Sequence, residues 1–171
     1  GDTFTVPSGA TIVNSGTATG FGGGKIGQVL QTVNTGTETL SSGTATTIPD
    51  FTVSITPAAT SSKILVTVNA MLTASDNYNM AVSLFRDTTE LFIGDAASNR
   101  KRCSWSTHVN NARFWRMCAI SYLDSPSSTS ELDYSCKWNS QSAVAIYMNR
   151  TKTDTDATDY DNRTASSITV M

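Results

Sequence analysis

Four aspartates stand close together near the end of the sequence and could supply the oxygen ligands that a calcium ion requires. They lie in the stretch TDTDATDYDN, residues 153–162: Asp154, Asp156, Asp159 and Asp161. Calcium takes about six to eight oxygen ligands from carboxylates, amides and carbonyls. The stretch lacks the glycine and the final glutamate of an EF-hand loop. It therefore predicts a calcium site of another kind, and the alternative is a solvated acidic loop.

Two polar segments with aromatic side chains, residues 73–79 and 98–111, could bind a sugar. A sugar ring needs an aromatic face for stacking and polar groups for its hydroxyls. Loops carry such contacts because they vary without disturbing the core. We therefore expect both segments to be exposed loops that form a receptor-binding site, although aromatic residues also commonly pack in a core. The candidate receptor-binding residues are Asn77, Tyr78, Arg100, Trp105 and His108.

Nothing in the sequence forms a pattern typical of an enzyme. His108 is the only histidine, and no GxSxG motif is present to supply a nucleophile for a triad. The three cysteines and the histidine have neither CxxC nor HxxxH spacing, which argues against zinc. We therefore expect no catalytic residues, and no cofactor unless calcium binds.

The cysteines Cys103, Cys118 and Cys136 are odd in number and widely spaced, which is a poor disulfide framework. Cys118 and Cys136 fall on apolar faces of predicted strands. We therefore expect these two thiols to be buried and free and Cys103 to be more accessible, although one disulfide beside one free thiol is the alternative.

Composition and periodicity indicate an all-β fold. Charged residues make up 15% of the chain and the net charge is −2, which argues against nucleic acid as a partner. No apolar run of about 20 residues is present to span a membrane. Eight or nine segments alternate apolar and polar residues between turn signals. In residues 131–138, for example, we expect Leu132, Tyr134, Cys136 and Trp138 to face inward, and Asp133, Ser135 and Lys137 to face outward. The pattern predicts an antiparallel, jelly-roll-like β-sandwich over residues 24–171.

The first 23 residues predict a different structure. VPSGAT at residues 6–11 returns as VNSGTA at residues 13–18, with turn signals at 7–9 and 14–16. Short strands of this kind cannot cover their own apolar side chains, and such repeats become stable by stacking on further copies. We therefore predict that residues 1–23 form an intertwined β-shaft and that the protein is a homotrimer.

Several segments resemble the C-terminal domains of tail fibres and related virion proteins of tailed bacteriophages, especially phages of cyanobacteria and environmental phages. The segments are GKIGQVLQT, ITPAATSSKILV, LFRDT, SYLDSPSSTSELDY, IYMNR and TASSITVM. The opening residues resemble the shaft that precedes such domains, so the chain is similar to a fragment of a longer fibre. The resemblance implies a homotrimeric fibre tip on the virion, made in the host cytoplasm. It also implies that the tip binds a glycan or protein of the host surface.

Two other functions stay open at this point. The domain could be purely structural, decorating a capsid or tail, with trimerisation as its function. It could also be a tailspike-type depolymerase. Glycosidases use two carboxylates about 5–9.5 Å apart, and isolated carboxylates in this sequence do not identify such a pair.

Overall fold

A computed structural model of the chain describes residues 8–9, 26–156 and 159–171. The predicted shaft therefore lies outside the described residues except for Ser8 and Gly9. These two residues form a turn in which Gly9 has a φ of +87°, a value that glycine adopts without steric cost. The turn predicted at residues 7–9 is confirmed for this pair.

The described residues form eleven β-strands and one short 3-10 turn, Gln141–Ala143. The strands are β1 (Leu30–Asn34), β2 (Glu38–Ser41), β3 (Thr46–Ile55), β4 (Ile64–Ala74), β5 (Tyr78–Arg86), β6 (Thr89–Leu91), β7 (Trp105–Val109), β8 (Arg116–Asp124), β9 (Leu132–Ser140), β10 (Ala145–Met148) and β11 (Ser166–Val170). No described helix is long and apolar enough to cross a membrane.

The strands form two antiparallel sheets, which we call sheet A and sheet B. Sheet A has the order β1-β11-β4-β8, and the short strands β10 and β2 extend it from β4. Sheet B has the order β3-β9-β5-β7, and β6 pairs with the other end of β5. The inner faces of both sheets contribute to one hydrophobic core. The predicted all-β fold with sandwich-like layers is therefore confirmed.

Period-two alternation of apolar residues explains which face of each long strand is buried. Residues 63–72 alternate apolar and polar side chains, which predicts five inward residues, and all five are at most 3% exposed in β4: Ile64, Val66, Val68, Ala70 and Leu72. The inward residues predicted for β3 and β9 are buried as well. Because successive side chains of a strand point to opposite faces, this pattern also determines the register of the sandwich.

The structure differs from the sequence prediction at Ser135 and at Phe114. Ser135 lies on the outer face of β9 as expected but is buried, because the neighbouring Phe85 covers it and the Lys137 ammonium lies 4.0 Å from the centre of that ring. The sequence of residues 112–124 predicts one long strand in which Phe114 faces inward together with Cys118 and Ile120. In the structure the strand begins at Arg116, and Phe114 is exposed. Phe114 lies in a turn, where its N–H donates a hydrogen bond to the carbonyl of Asn111.

A buried amide joins the strands at one end of sheet A. Asn149 follows β10 with a φ of 59° and is fully buried. Its Nδ2 donates to the carbonyls of Asn34 and Gly36, each at 2.8 Å. Its Oδ1 accepts a hydrogen bond from the Ser166 hydroxyl at 2.7 Å. The side chain thereby fixes β1 and β11 relative to the end of β10, and a buried amide satisfied in this way contributes strongly to a unique fold.

Candidate functional site

Asp154 and Asp161, the first and last of the four aspartates in the predicted calcium site, are engaged in contacts within their own loop. Asp161 accepts hydrogen bonds from the Thr155 N–H at 2.9 Å, from the Thr153 hydroxyl at 3.1 Å and from the Thr151 hydroxyl. These bonds favour the ionised carboxylate and lower the pKa of Asp161, with the Thr151 hydroxyl as the main cause. Asp161 therefore acts as the hydrogen-bonding centre of this loop.

Asp154 is paired with arginine instead of being open to a cation. Its Oδ2 lies 2.8 Å from Arg163 and 3.6 Å from Arg150. Asp156 and Asp159 are exposed, and residues 157–158 between them are outside the described residues. Within the described ranges, no three acidic, histidine or cysteine side chains come together to hold a metal ion. The observed contacts favour the alternative of an acidic loop, here one stabilised by its own threonines and arginines.

The five predicted receptor-binding residues do not form one cluster. Tyr78 pairs with Val109 at one end of the β5–β7 ladder, and Trp105 pairs with Val82 at the other end. Four residues along a strand separate the two ends, a distance on the order of 13 Å. Asn77, Tyr78 and His108 therefore gather at the first end, and Trp105 lies at the second end.

The expectation that Trp105 lies in an exposed loop is wrong. Residues 105–109 form strand β7, and Trp105 is half-buried with its side chain packed against the core. Tyr78 is also half-buried, as the first residue of β5. Arg100 is exposed in a turn in which its N–H bonds the carbonyl of Ala97. Neither Tyr78 nor Trp105 therefore presents a free aromatic face in a loop. The receptor-binding role of the five residues stays a prediction.

His108 is exposed on the outer face of β7. Its Nδ1 lies within hydrogen-bond distance of the Asn110 side-chain oxygen. A catalytic histidine would need a nucleophile on one ring nitrogen and an orienting carboxylate on the other. The contact with an amide makes His108 a polar surface residue of the β7 turn.

A cavity of about 300 Å³, lined by both polar and apolar side chains, lies on the outer face of sheet B. Its lining includes Asn79, Ala81, Lys101, Ser106, Asn139 and Gln141. Ala81 pairs with Ser106 on one side and with Asn139 on the other, so three adjacent strands form the floor. The sequence interpretation did not single out any of these residues, although residue 79 and residues 101 and 106 lie in the two segments it favoured. His108 pairs with Asn79 and therefore borders this cavity.

A second cavity, of about 310 Å³, lies near the end of the β5–β7 ladder where Asn77 is found. Two of the three charged side chains in its lining, Asp76 and Lys152, are paired with each other. Asp76 accepts the Ala112 N–H at 2.7 Å and lies 3.4 Å from the Lys152 ammonium. The Ala112 N–H is the main reason why the pKa of Asp76 is lowered. This cavity therefore offers fewer uncommitted groups to a ligand than the cavity on sheet B.

One buried group of ionisable residues links the two sheets. Asp124 of β8 is buried, and its Oδ2 accepts hydrogen bonds from Arg86 at 2.6 Å and from the Tyr134 hydroxyl at 2.7 Å. Burial, and then the hydrogen bond to Asp124, raises the pKa of Tyr134. The Ser125 N–H bonds the other oxygen of Asp124 at 2.7 Å. Because each oxygen of the buried Asp124 carboxylate has protein donors, the role of the group is to join the sheets.

The three thiols are arranged as the sequence predicts. All are free, Cys118 and Cys136 are buried, and Cys103 is partly exposed at the rim of the sheet B cavity. Burial raises the pKa of Cys136 to about 12 and also raises that of Cys118. Since the thiolate is the reactive form, the two buried thiols are inert core residues.

The outer face of sheet A differs from that of sheet B in its charge. The outward residues of β1, β11, β4 and β8, assigned from register and burial, are Gln31, Val33, Leu65, Thr67, Asn69, Met71, Met117, Ala119, Ser121, Leu123, Ser167 and Thr169. None of these twelve side chains carries a charge, and Met117 and Leu123 are each 58% exposed. The corresponding face of sheet B carries Glu90, Asp133 and Lys137.

Strand β8 borders this uncharged face and has β4 as its only ladder partner among the described strands. It is nine residues long. A long edge strand with exposed apolar residues is a surface on which another chain can pair or pack. The face and the edge therefore lie side by side and share the exposed side chains of β8.

Comparison of the chain with protein-family models, and separately with curated proteins, found no match.

Proposed function

We propose that this chain is the tip domain of a tail fibre, or of a related virion protein, from a tailed bacteriophage. In this proposal three copies associate through their shafts and sandwich domains, and the trimer attaches to a glycan or protein of the host surface. The sequence resemblance supports the virion assignment. The uncharged outer face of sheet A supports self-association, and it is the structural observation that carries the proposal.

The strand order supports a jelly roll as the form of the sandwich. Eight strands divide into the two four-stranded orders β1-β11-β4-β8 and β3-β9-β5-β7. Strands distant in the sequence lie side by side, such as β3 with β9 and β4 with β11. An eight-stranded double sheet with such long connections is the arrangement expected for two Greek keys.

The physical argument for self-association is one of charge and exposure. An identical copy presents the same twelve uncharged strand residues, with Lys63 only at one end of the β4–β8 ladder, so two copies can meet across these residues without burying an unpaired charge. Leu123 lies opposite Leu65 and Met117 lies opposite Met71, which places apolar side chains toward both ends of the β4–β8 ladder. Small polar residues lie between them and allow close approach. Because Met117 and Leu123 are 58% exposed, covering the exposed part would contribute about 1–2 kcal/mol per side chain.

The chain enters the sandwich beside the same sheet. Ile26 and Val29 are 66% and 59% exposed just before β1, which is the strand of sheet A next to β11. In a trimer held together by a shaft of residues 1–23, these side chains would be near the point where the three copies converge. Their exposure in a single copy is consistent with cover by a neighbouring copy.

Light scattering of the purified 171-residue chain tests this proposal. We expect a mass three times the 18.2 kDa of one chain. Leu123→Arg should shift the protein toward monomers, because it places a charge in the proposed interface. Thr52→Arg is the matched control, because Thr52 is an exposed strand residue of sheet B. A stable monomer at micromolar concentration, or equal effects of the two substitutions, would contradict the proposal.

The alternatives are separated by two further assays. Binding of the labelled trimer to a panel of cyanobacterial and other bacterial cells distinguishes a host-attachment tip from a purely structural decoration domain. Loss of polysaccharide chain length on incubation with the trimer would instead favour a depolymerase.

A further inference from the structure

We infer that the cavity on the outer face of sheet B binds a single acidic sugar unit, such as a uronic acid residue of a surface polysaccharide. The inference rests on the proposed function and names the class of ligand and the site. It differs from the sequence interpretation, which placed recognition on the aromatic side chains of two loops.

The lining offers uncommitted amide and hydroxyl groups. Asn79 Nδ2 donates to Gln141 Oε1 at 2.9 Å, which leaves Asn79 Oδ1 as an acceptor and Gln141 Nε2 as a donor. The side chains of Asn139 and Ser106 make no hydrogen bond to any residue that the structure describes. Adjacent hydroxyls of a pyranose ring each donate and accept, and amides and hydroxyls provide both functions within a small area. This inventory provides the donors and acceptors that a polyhydroxylated ligand requires.

Lys101 adds one positive charge to this uncharged lining. Its Nζ donates to the carbonyl of Gly43 at 2.9 Å, which positions the ammonium and leaves two of its three protons for a ligand. None of the cavity residues that the structure describes is acidic. A single ammonium among amides matches one carboxylate. A phosphate would be better served by several cations or by the bidentate geometry of arginine.

The segment that carries Lys101 is held against β5 by Ser104. The Ser104 N–H bonds the carbonyl of Val82 at 3.0 Å, and its hydroxyl accepts the Leu84 N–H at 2.8 Å. The same hydroxyl donates to the carbonyl of Leu91 at 3.0 Å. A wall fixed in this way loses little conformational entropy on binding.

The dimensions indicate one sugar ring. A volume of about 300 Å³ is at the lower end of the range of about 300–1,000 Å³ for ligand pockets. The floor is formed by the small side chain of Ala81, which leaves room for a ring to lie on the sheet. The site faces outward from sheet B, so the proposed interface on sheet A leaves it accessible.

The test is an amide NMR titration of the purified, isotope-labelled protein with methyl β-D-glucuronide and with methyl β-D-glucoside. We expect the glucuronide to shift the amide signals of Ala81, Ser106 and Asn139, with the glucoside binding about tenfold more weakly. Lys101→Gln should weaken glucuronide binding about tenfold and bring it to the level of the glucoside. Lys63→Gln is the matched control, because Lys63 is an exposed lysine that bonds only Ser125 among the described side chains.

Three results would overturn the inference: no shift with either sugar, shifts confined to the second cavity around Asp76, or glucuronide binding that Lys101→Gln does not change. Asn139→Ala provides an independent check, because it should weaken the binding of both sugars without altering the melting temperature. The same samples distinguish the inference from the proposed function. Glucuronide binding by a protein that neither trimerises nor attaches to cells would contradict the fibre-tip proposal and support the cavity assignment.

Discussion

Replacing Asn149 by aspartate should destabilise the protein strongly for a substitution that hardly changes the volume of the side chain. It replaces a buried amide donor with a carboxylate oxygen, which accepts hydrogen bonds. The substitution is nearly isosteric, and Asp tolerates a φ of 59° about as well as Asn. The change therefore isolates the hydrogen bonds from packing and from backbone strain. Nδ2 now donates to the carbonyls of Asn34 and Gly36 at 2.8 Å, and an ionised oxygen in its place would donate to neither.

The magnitude follows from the two carbonyls that lose their donor in a fully buried site. Leaving a buried acceptor unsatisfied costs about 1–3 kcal/mol. Two such acceptors facing a buried carboxylate give a loss of roughly 3–5 kcal/mol at neutral pH. For a chain of this length each kcal/mol corresponds to about 2–4 °C in melting temperature, so we expect a fall of roughly 10 °C. Asn99→Asp is the matched control, because Asn99 is exposed in a turn, and it should change the melting temperature little.

The loss should depend on pH with a defined sign. Burial and the two carbonyls favour the protonated form of the introduced carboxyl, so its pKa in the folded state is raised above the unfolded value near 4. Below the unfolded pKa the protonated acid can donate to one carbonyl, and most of the stability is kept. The stability is then lost as the pH rises through the raised folded pKa.

The measurement is the melting temperature of Asn149→Asp, of Asn99→Asp and of the unmodified protein at pH 4 and pH 7. The gap between Asn149→Asp and the unmodified protein should be wider at pH 7 than at pH 4. A fall of about a degree or less at pH 7, or a gap that does not change with pH, would refute the assignment of Asn149 as a buried donor to two carbonyls.

Two further predictions concern the core. Leu132→Ala should cost about 2–5 kcal/mol in unfolding free energy, whereas Ser135→Ala should cost under about 0.5 kcal/mol, because Ser135 makes no side-chain hydrogen bond to the described residues. Equal losses in denaturant titrations would mean that the register of β9 is misassigned. Thiol titration of the native protein should detect Cys103 alone, and titration after denaturation should detect all three cysteines. A single thiol after denaturation without reductant would reveal a disulfide.

The sequence alone was sufficient wherever a strand buries one face along its whole length. In β4 and β9 the apolar residues recur at every second position, and this period is a local property of the chain. The same alternation correctly indicated that Cys118 and Cys136 are buried thiols. The strand at Ser166–Val170 also has a local signal, because its last three residues are all β-branched.

The errors occur where burial comes from a partner strand and not from the residue's own pattern. Residues 105–109, WSTHV, contain polar residues and suggest a loop, yet they pair with β5 and form β7. Ser135 is polar and on the outer face, yet Phe85 from the adjacent strand covers it. The periodicity of a segment does not indicate which strand will pair with it, so it could predict neither the pairing with β5 nor the position of Phe85.

The sequence by itself therefore determined the fold class, the inward face of the long strands and the state of the thiols. The tertiary structure alone decided which polar residues meet. It brought residues 79, 101 and 139 from three separate segments to one cavity, and it committed Asp154 and Asp161 to contacts within their loop. The physical reason is that alternation along a strand is set by backbone geometry within a few residues. The assembly of a site depends instead on strand order and register, which are set by contacts between residues far apart in the chain.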